Sequence, residues 1–254
     1  MLIRKLYRTE KIMDLCPEEQ MLADLIGHDR KPESGLHSFI CNFMAVVEFD
    51  GNRMGRLVKR DELTIYTNHL ATAVMDGLQY LIGNGHPCPK TPERAIAVTG
   101  AHITHMLRDM LEDLPSGTIN IPLEELTEYG ISIEELDNES FRNWVNDQTK
   151  KARQAFLAGQ GYINSISILR CKLAGVGYLA RFDNILNAIE REGYRLRLDY
   201  PERYCLANWM EIARLGINVT VEHIASQLRR ILPAVHRPSS LPSSARMQVY
   251  PSNK

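Results

Sequence analysis

Several features that would assign this chain to a particular class of protein are missing from its sequence. No run of about 18 apolar residues occurs, so no segment is long enough to span a bilayer. The amino-terminal stretch MLIRKLYRTEKIMDL carries charges throughout and lacks the apolar core of a signal peptide. The formal net charge of the 254 residues is only -1, which gives no overall reason to expect a nucleic-acid partner.

Cysteine is also scarce and poorly spaced for structural bridging. The five cysteines are odd in number, scattered, and never paired as C-x-x-C. This argues against a disulfide framework and against a structural zinc site, and it indicates a reducing compartment. We therefore expect a cytoplasmic protein, for which peripheral contact with a membrane surface stays open. No Ser/His/Asp order, Gly-rich phosphate loop or H-E-x-x-H motif is present.

Strand-like alternation is almost absent, and apolar residues recur instead at helical spacing. This pattern predicts an all-α, single-domain helical bundle over residues 1–232, followed by a Pro-, Ser- and Arg-rich tail over residues 233–254 that we expect to be disordered. Turn-forming residues delimit the expected helices, which cover residues 1–15, 17–26, 36–49, 62–82 (with Asp61 as N-cap), 95–114 and 123–129, a helix beginning at Ser132, and residues 140–158, 164–175, 177–192, 204–215 and 219–232. A turn is expected at residues 50–52, and a kink or break near Gly159 and Gly161.

The most informative stretch is AIAVTGAHITHMLRDMLEDL, residues 95–114. At 3.6 residues per turn its ionisable side chains fall along one stripe, while apolar side chains cover most of the remaining circumference. The stripe consists of His102, His105, Asp109, Glu112 and Asp113. We expect this helix to be buried with its acidic line facing a cavity. Because buried carboxylates are costly unless a cation neutralises them, the pattern asks for a metal ion or a cationic partner.

More than one interpretation of this stripe stays open. Its carboxylates are hard ligands that suit Mg²⁺ completed by substrate phosphates, with which Arg108 could pair. A solvated acidic patch explains the three carboxylates equally well, and satisfied core residues are the simpler explanation of the two histidines. A third interpretation places His102, His105, Asp109 and Glu112 around a transition metal.

Other candidate residues give weaker signals. Tyr66 and Asn68 share the helix over residues 62–82, where they either line a cavity or pack in the core. Arg53 belongs to a basic cluster after the expected turn at residues 50–52, which either is solvated or meets a diphosphate. The residues alone do not separate these possibilities.

Three segments together resemble the squalene/phytoene synthase family. HMLRDMLEDLPSGTINIPLEELTEYGI, residues 105–131, is similar to its second aspartate-rich region, in which an apolar helix ends in L-R-D-x-x-E-D before a loop and a proline-containing segment. ILRCKLAGVGYLARFDNILNAIEREGYRLR, residues 168–197, resembles the family's late helices. DELTIYTNHLATAV, residues 61–74, is similar to its E-L-x-x-Y helix. The likeness covers about residues 40–200.

The resemblance implies an isoprenoid-synthase fold, a helical bundle with a central cavity. It also implies a prenyltransferase or terpene-synthase-like enzyme of isoprenoid biosynthesis that ionises a prenyl diphosphate with Mg²⁺, or with Mn²⁺ as the alternative ion. On this resemblance the metal residues would be Asp109, Glu112 and Asp113, and the catalytic residues Asp109, Asp113, Arg108 and Tyr66. The substrate-binding residues would be Arg108, Asn68, His102, His105 and Arg53.

The family also carries an earlier D-x-x-x-D helix, which we expect to be missing here. Asp24 and Asp29 are five residues apart rather than four, and the sequence therefore resembles a short, divergent member. Two further possibilities follow from this departure. One is a non-catalytic member that acts as an interaction or lipid-binding module. The other is a site completed by a second chain, either in a homodimer or from a different partner.

Overall fold

A computed structural model describes residues 2–231 apart from positions 9–11, 13, 30, 32, 85 and 87. Over these residues the chain forms nine α-helices and no strand, as its helical periodicity predicts. The helices are α1 (Leu2–Tyr7), α2 (Pro17–His28), α3 (Gly35–Arg53), α4 (Arg60–Gly83), α5 (Ile96–Asp113), α6 (Leu123–Tyr129), α7 (Glu139–Ser165), α8 (Leu169–Arg191) and α9 (Leu206–Ile231). The predicted tail over residues 233–254 lies outside the described residues.

Pairs of helices build the bundle. α3 packs along α4, α5 along α7, and α8 along α9, while α5 and α8 each also contact α4 and each other. The main apolar core lies where α5, α7 and α8 meet, around fully buried Leu107, Met110, Trp144, Ile185 and Leu186. A smaller cluster joins α1 and α2 to the first turns of α3. The central helix predicted from the sequence, α5, is thus in the middle of the bundle.

Local capping determines where α4 begins. The sequence suggests Asp61 as its N-cap, but the helix begins one residue earlier, at Arg60, with Lys59 in the N-cap position. The carboxylate of Glu62 accepts a hydrogen bond from the backbone N–H of Lys59 at 3.0 Å. An acidic side chain at the third helical position therefore satisfies the N-terminus, which leaves Asp61 within the first turn.

The predicted turn at residues 50–52 is wrong, because α3 continues to Arg53. Oδ1 of Asp50 and Nε of Arg53 are 2.9 Å apart across the last helical turn, and this ion pair supports a helix that the Asp-Gly-Asn sequence alone would end. The chain turns instead at Gly55, whose φ of +73° lies in the left-handed region that glycine adopts without strain.

Glycines that suggested breaks lie inside continuous helices. α7 passes through Gly159 and Gly161 and continues to Ser165. α8 runs unbroken from Leu169 to Arg191 and α9 from Leu206 to Ile231, where two separate helices were expected in each case. A Cβ atom on Gly159 would lie 2.5 Å from the Cβ of Ala97 and 2.8 Å from its backbone nitrogen. Gly159 therefore permits α7 to approach the start of α5 closely, which is a packing role and not a helix-breaking one.

The helix expected to begin at Ser132 is absent, and residues 131–138 form turns. Ile131, Ile133 and Leu136 each pack against the main core, although this spacing does not present one helical face. Asn138 then caps the next helix, because its Oδ1 accepts a hydrogen bond from the N–H of Phe141 at 2.8 Å. The expected amino-terminal helix over residues 1–15 is also shorter, since α1 ends at Tyr7.

The two glycines of α7 give a matched test of the close approach. We expect Gly159→Ala to lower the free energy of unfolding by about 1–3 kcal/mol, because the new methyl group overlaps the backbone of Ala97. Gly161→Ala meets nothing within 4 Å and should raise it by about 0.5–1 kcal/mol through helix propensity. Urea unfolding followed by circular dichroism measures both, and equal stabilisation by the two substitutions would contradict the packing.

Candidate active site

The acidic pair on α5 lies against two other parts of the fold, the end of α3 and the middle of α4. Asp109 and Asp113 are one helical turn apart on α5, and both are half-buried. Arg53 ends α3, and Tyr66 lies on α4. Both of these side chains are buried, each being 7% exposed, so the carboxylates face a protein surface that is sheltered from water.

Basic side chains on its own helix hold Asp109. Nε of Arg108 donates to Oδ1 at 2.5 Å, and its second terminal nitrogen donates to Oδ2 at 2.6 Å. Nε2 of His105 lies 2.9 Å from Oδ2. Burial alone would raise the pKa of Asp109, but the hydrogen bonds from Arg108 and His105 outweigh it and hold the pKa below its usual value. Asp109 is therefore a firmly ionised carboxylate.

Asp113 is in a different environment. Nδ2 of Asn120 donates to its Oδ2 at 2.8 Å, and Nη1 of Arg53 donates to Oδ1 of the same Asn120 at 2.7 Å. Burial and repulsion from Asp109 raise the pKa of Asp113, in spite of the hydrogen bond from Asn120. The repulsion between the two carboxylates is thus only partly relieved by the protein, which is an environment that favours an added cation.

Arg53 occupies an aromatic box beside this pair. Its guanidinium carbon lies 5.1 Å from the centre of the Tyr66 ring and 5.7 Å from that of Phe49, within the range of cation–π attraction. The Tyr66 hydroxyl donates to Oδ2 of Asp50 at 3.3 Å. Burial and the charge of Asp50 raise the pKa of Tyr66 to about 12, so the phenol keeps its proton at neutral pH.

His102 lies about two turns before Asp109 and three turns before Asp113 on α5. It is 6% exposed, and its ring centre lies 5.3 Å from that of Tyr66. Burial, with the charges of His105 and Arg53, lowers its pKa to about 3, so the imidazole is neutral. Its Nε2 is buried and has no hydrogen-bond partner in the protein. That orphaned nitrogen makes His102 more than a satisfied core residue.

Two loops beside the site are joined by backbone hydrogen bonds. The N–H of Gly55, after α3, donates to the carbonyl of Gly117, after α5, at 2.9 Å. The N–H of Leu123 donates to the carbonyl of Val58, also at 2.9 Å. Gly117 has a φ of +81°, and a Cβ there would lie 3.1 Å from the Gly55 nitrogen. These bonds flank the contact between Arg53 and Asn120.

An apolar cavity lies among α4, α5, α7 and α8. Its lining includes Leu78, Val98, Ile163, Leu179 and Tyr178. Tyr178 packs edge-to-face on Phe182 with ring centres 5.0 Å apart, and Phe182 lies 6.4 Å from the ring of His105. This aromatic row of Tyr178, Phe182 and His105 runs from the apolar cavity to the acidic pair.

The structure brings together most of the residues singled out from the sequence. They form a cluster made of two sets of contacts, which are Arg53 with Tyr66, His102 and (through Asn120) Asp113, and Asp109 with Arg108 and His105. The charges of Asp109 and His105 act on Asp113 and link the two sets. Two residues stand apart from it. Glu112 is exposed on α5, and Asn68 is exposed on α4, where it lines a polar recess together with His102 and Asn120.

Sequence reasoning missed three members of the cluster. Asp50 and Phe49 were hidden by the mistaken turn, although the three-residue spacing of Asp50 and Arg53 is a signal of a helical ion pair. Asn120 lies in an irregular segment, where no periodic pattern points to its role. Its contact depends on the tertiary fold.

The donor set fits a divalent cation that a ligand completes, but not a closed metal cage. Within the described ranges, no group of three or more His, Cys, Asp or Glu side chains is gathered to hold a metal ion. The transition-metal arrangement of His102, His105, Asp109 and Glu112 is accordingly not assembled. Mg²⁺ needs only one or two carboxylates when water and phosphate oxygens supply the rest, which Asp109 and Asp113 match.

Comparison with known proteins identifies the family of this chain. The family model described as Squalene/phytoene synthase matches residues 10–209. The chain therefore belongs to the squalene/phytoene synthase family. No curated protein sequence matches the chain at a significant level. Over the part of the chain that the structure describes, no helix combines the length and the apolar character that crossing a bilayer requires.

A solved structure shares the fold. The crystal structure of squalene synthase HpnC from Alicyclobacillus acidocaldarius is similar with a TM-score of 0.58 and 16% sequence identity. The match covers 77% of this chain and 72% of that chain. The all-helical isoprenoid-synthase fold implied by the sequence resemblance is thereby confirmed.

The low pKa of His102 predicts a specific pH dependence of stability. Below pH 6.5, the ordinary pKa of histidine, His102 of the unfolded chain binds a proton, whereas His102 of the folded chain does so only near pH 3. Stability is therefore lost as the pH falls through 6.5, at about 1.4 kcal/mol per pH unit. His102→Gln should reduce the slope of unfolding free energy between pH 6 and pH 4.5 by about that amount, measured in urea. An unchanged slope would show that His102 is not buried, and His28→Gln controls for loss of an exposed histidine.

Proposed function

We propose that this chain is a transferase or synthase that acts on a prenyl diphosphate in isoprenoid biosynthesis. One observation carries the proposal. The acidic pair Asp109 and Asp113, with cationic Arg53 and Arg108 beside it, is joined by an aromatic row to an apolar cavity. A prenyl diphosphate has a multiply charged head and a hydrocarbon chain, and it requires these two surfaces side by side.

At the charged end, Asp109 and Asp113 would hold Mg²⁺, or Mn²⁺ in its place, with exposed Glu112 free to turn toward them. The bound ion neutralises the charge that develops on a departing diphosphate. Arg108 and Arg53 contribute fixed positive charge and hydrogen-bond donors for the phosphate oxygens. Tyr66 stays protonated, so its hydroxyl can donate but does not act as a base at neutral pH.

At the apolar end, the cavity would hold the hydrocarbon chain and exclude water from the reacting carbon. The ring faces of Tyr178 and Phe182 stabilise positive charge without offering a nucleophile. His102 does not line this cavity, and its neutral ring lies instead in the polar recess with Asn68 and Asn120.

In the proposed reaction, Arg108 can pair either with Asp109 or with a bound diphosphate. In the free protein it covers both oxygens of Asp109, which blocks the carboxylate from binding an ion. A diphosphate competes for the same guanidinium. Binding of the anion would therefore release Asp109, and the cation and the diphosphate would bind cooperatively.

The pairing of Arg108 with both oxygens of Asp109 also favours a second candidate function. A chain whose Asp109 stays covered by its own basic side chains is suited to binding and not to catalysis, and would be a non-catalytic family member acting as an interaction or lipid-binding module. The two functions differ in whether the acidic pair is required for turnover.

Turnover therefore tests the proposal directly. With Mg²⁺ and farnesyl or geranylgeranyl diphosphate, we expect the wild-type chain to release diphosphate, and Asp109→Asn to lower the rate at least about 100-fold by removing a charge needed in the transition state. Asp137→Asn replaces an aspartate whose side chain is 74% exposed, outside the cluster, and should retain the rate. No release from well-folded wild-type protein with either substrate would favour the binding module.

Metal binding tests the competition at Arg108. Equilibrium dialysis of Mn²⁺ at fixed free-ion concentration should show about tenfold tighter binding when inorganic pyrophosphate is present. Arg108→Gln should tighten Mn²⁺ binding without pyrophosphate, because Asp109 then keeps only its contact with His105, and should remove the tenfold gain. Arg56→Gln alters an exposed arginine paired with Glu62 and serves as the matched control. Equal Mn²⁺ affinities of wild type and Arg108→Gln would contradict the prediction that Arg108 keeps the ion from Asp109.

A further inference from the structure

A surface groove lies between α7, α8 and α9, and we name it the α9 groove. Its floor is apolar, with buried Phe156 and Ile163 of α7 and partly buried Leu215 and Val219 of α9. Ile163, together with Leu179 of α8, also lines the apolar cavity of the candidate site. The same two side chains therefore separate the groove from that cavity.

Negative charge predominates along the groove. Its lining contains three carboxylates and a single guanidinium, that of Arg153. Arg153 pairs with Asp183 and also with Glu190. The other two carboxylates belong to Glu211 and Glu222, which are the acidic residues of α9 and are both exposed. No basic side chain that the structure describes lies within ion-pair distance of either one. The α9 wall of the groove therefore carries two uncompensated charges.

The nearest basic side chains outside the lining do not neutralise this wall. Nζ of Lys172 donates to the backbone carbonyl of Asn164 at 2.7 Å. Arg229 is seven residues beyond Glu222, which is about 10 Å along the helix. The carboxylates of α9 are thus available to a cationic ligand.

The segment that continues from α9 has the matching chemistry. α9 is described as far as Ile231, and residues 233–254 have the sequence PAVHRPSSLPSSARMQVYPSNK. This segment contains Arg237, Arg246 and Lys254 and no acidic residue. Apolar Leu241 stands between the two arginines. A basic segment with apolar side chains is complementary to an acidic rim above an apolar floor.

The segment is long enough to follow α9 back along the groove. Measured from the last residue of α9, Glu222 lies about 13 Å back along the helix and Glu211 about 30 Å back. An extended chain spans about 3.3 Å per residue, so Arg237 can be about 20 Å from the end of α9 and can reach Glu222. Arg246 can be about 50 Å from the same point and can reach Glu211. Leu241 then falls between these two contacts, over the apolar floor.

We propose that residues 233–254 bind in the α9 groove of their own chain, antiparallel to α9, with Arg237 at Glu222 and Arg246 at Glu211. The family model ends at residue 209, so the α9 wall and this segment lie beyond the matched region. Because Ile163 separates the groove from the apolar cavity, the bound segment also supports one wall of that cavity. The groove is separate from the acidic pair, and the proposal does not depend on the proposed reaction.

The opposite face of α9 is a poorer site for this segment. It is apolar and uncovered, and its Ile217 is 64% exposed. The charged residue of α9 nearest to this face is Arg214, which has the same sign of charge as the segment. Both glutamates of α9 are on the groove side. Charge therefore directs the segment to the groove.

Intramolecular cross-linking tests the position of the segment. In a chain whose three exposed cysteines are replaced by serine, Leu241→Cys is combined with a second cysteine on α9. With Asn218→Cys, which lies in the groove, we expect a disulfide bond within one chain after oxidation by glutathione disulfide. With the neighbouring Ile217→Cys, on the opposite face, we expect at least about tenfold less product.

Peptide mass spectrometry identifies the linked residues. Equal linkage in the two chains, or stronger linkage to residue 217, would overturn the proposal. Linkage only between separate chains would assign the groove to the segment of a second copy, which overturns it as well.

Limited proteolysis tests the protection of the segment. Trypsin cleaves after Arg246, and we expect this cleavage to be at least about tenfold slower in the folded chain than in a synthetic peptide of residues 233–254. Glu211→Lys should raise the rate in the chain at least about fivefold, because it replaces an attraction with a repulsion. Glu48→Lys makes the same change at an exposed glutamate of α3 and should leave the rate unchanged. Circular dichroism confirms that each variant is folded.

Cleavage of the wild-type chain at the rate of the peptide, or no effect of Glu211→Lys, would contradict the binding. Protection that appears only when phosphatidylglycerol vesicles are added would place the segment on a lipid surface and would also overturn the proposal.

Charge exchange tests the pairing at the other end of the groove. Glu222→Arg should reduce the disulfide linkage between residues 218 and 241, and addition of Arg237→Glu should restore it, because the two substitutions exchange the charges of one pair. A double variant that links no better than Glu222→Arg alone would overturn this pairing.

Discussion

The guanidinium of Arg53 is buried at the centre of the candidate site. The surrounding structure must supply both acceptors and aromatic faces for this group, or the burial would be very costly. The carboxylate of Asp50, the amide of Asn120 and the rings of Phe49 and Tyr66 do so. These groups come from α3, α4 and the segment before α6. The single cation therefore fixes three separate parts of the chain against α5.

The same network shifts the pKa values of two similar carboxyl groups in opposite directions. Asp109 and Asp113 are one turn apart, yet protein hydrogen bonds hold the pKa of the first down while burial and its neighbour raise that of the second. Paired carboxylates with opposite shifts are typical of sites where a charge or a proton is exchanged. The difference arises from which donors reach each group. Basic groups on α5 contact Asp109, and Asn120, from the irregular segment that follows α5, donates to Asp113.

Features that depend on residues close together in the sequence could be predicted from it, and features that depend on contacts between distant segments could not. The fold class and the α5 stripe depend on helical periodicity, which is local; the fold class is confirmed, whereas Glu112 and His105 of the stripe are exposed and not buried as expected. Asn120 could not be found, because its role arises only when its segment folds back on Arg53. Gly159 looked like a break because a sequence shows the freedom of a glycine but not the helix that packs against it. Periodicity also identifies the apolar residues that share a face on α9, but it cannot show that the face is left uncovered.

The backbone tie between Gly55 and Gly117 has a consequence for how this protein tolerates change. Main-chain N–H and carbonyl groups are present whatever the side chain, so most neighbouring loop residues could be replaced without losing the tie. Only Gly55 and Gly117 are restricted, because both have a left-handed backbone and because a Cβ atom on Gly117 would lie close to the backbone of Gly55. The loops can therefore diverge in composition over evolutionary time while Arg53 and Asn120 keep their relative positions. In this respect the site is protected by its main chain more than by its side chains.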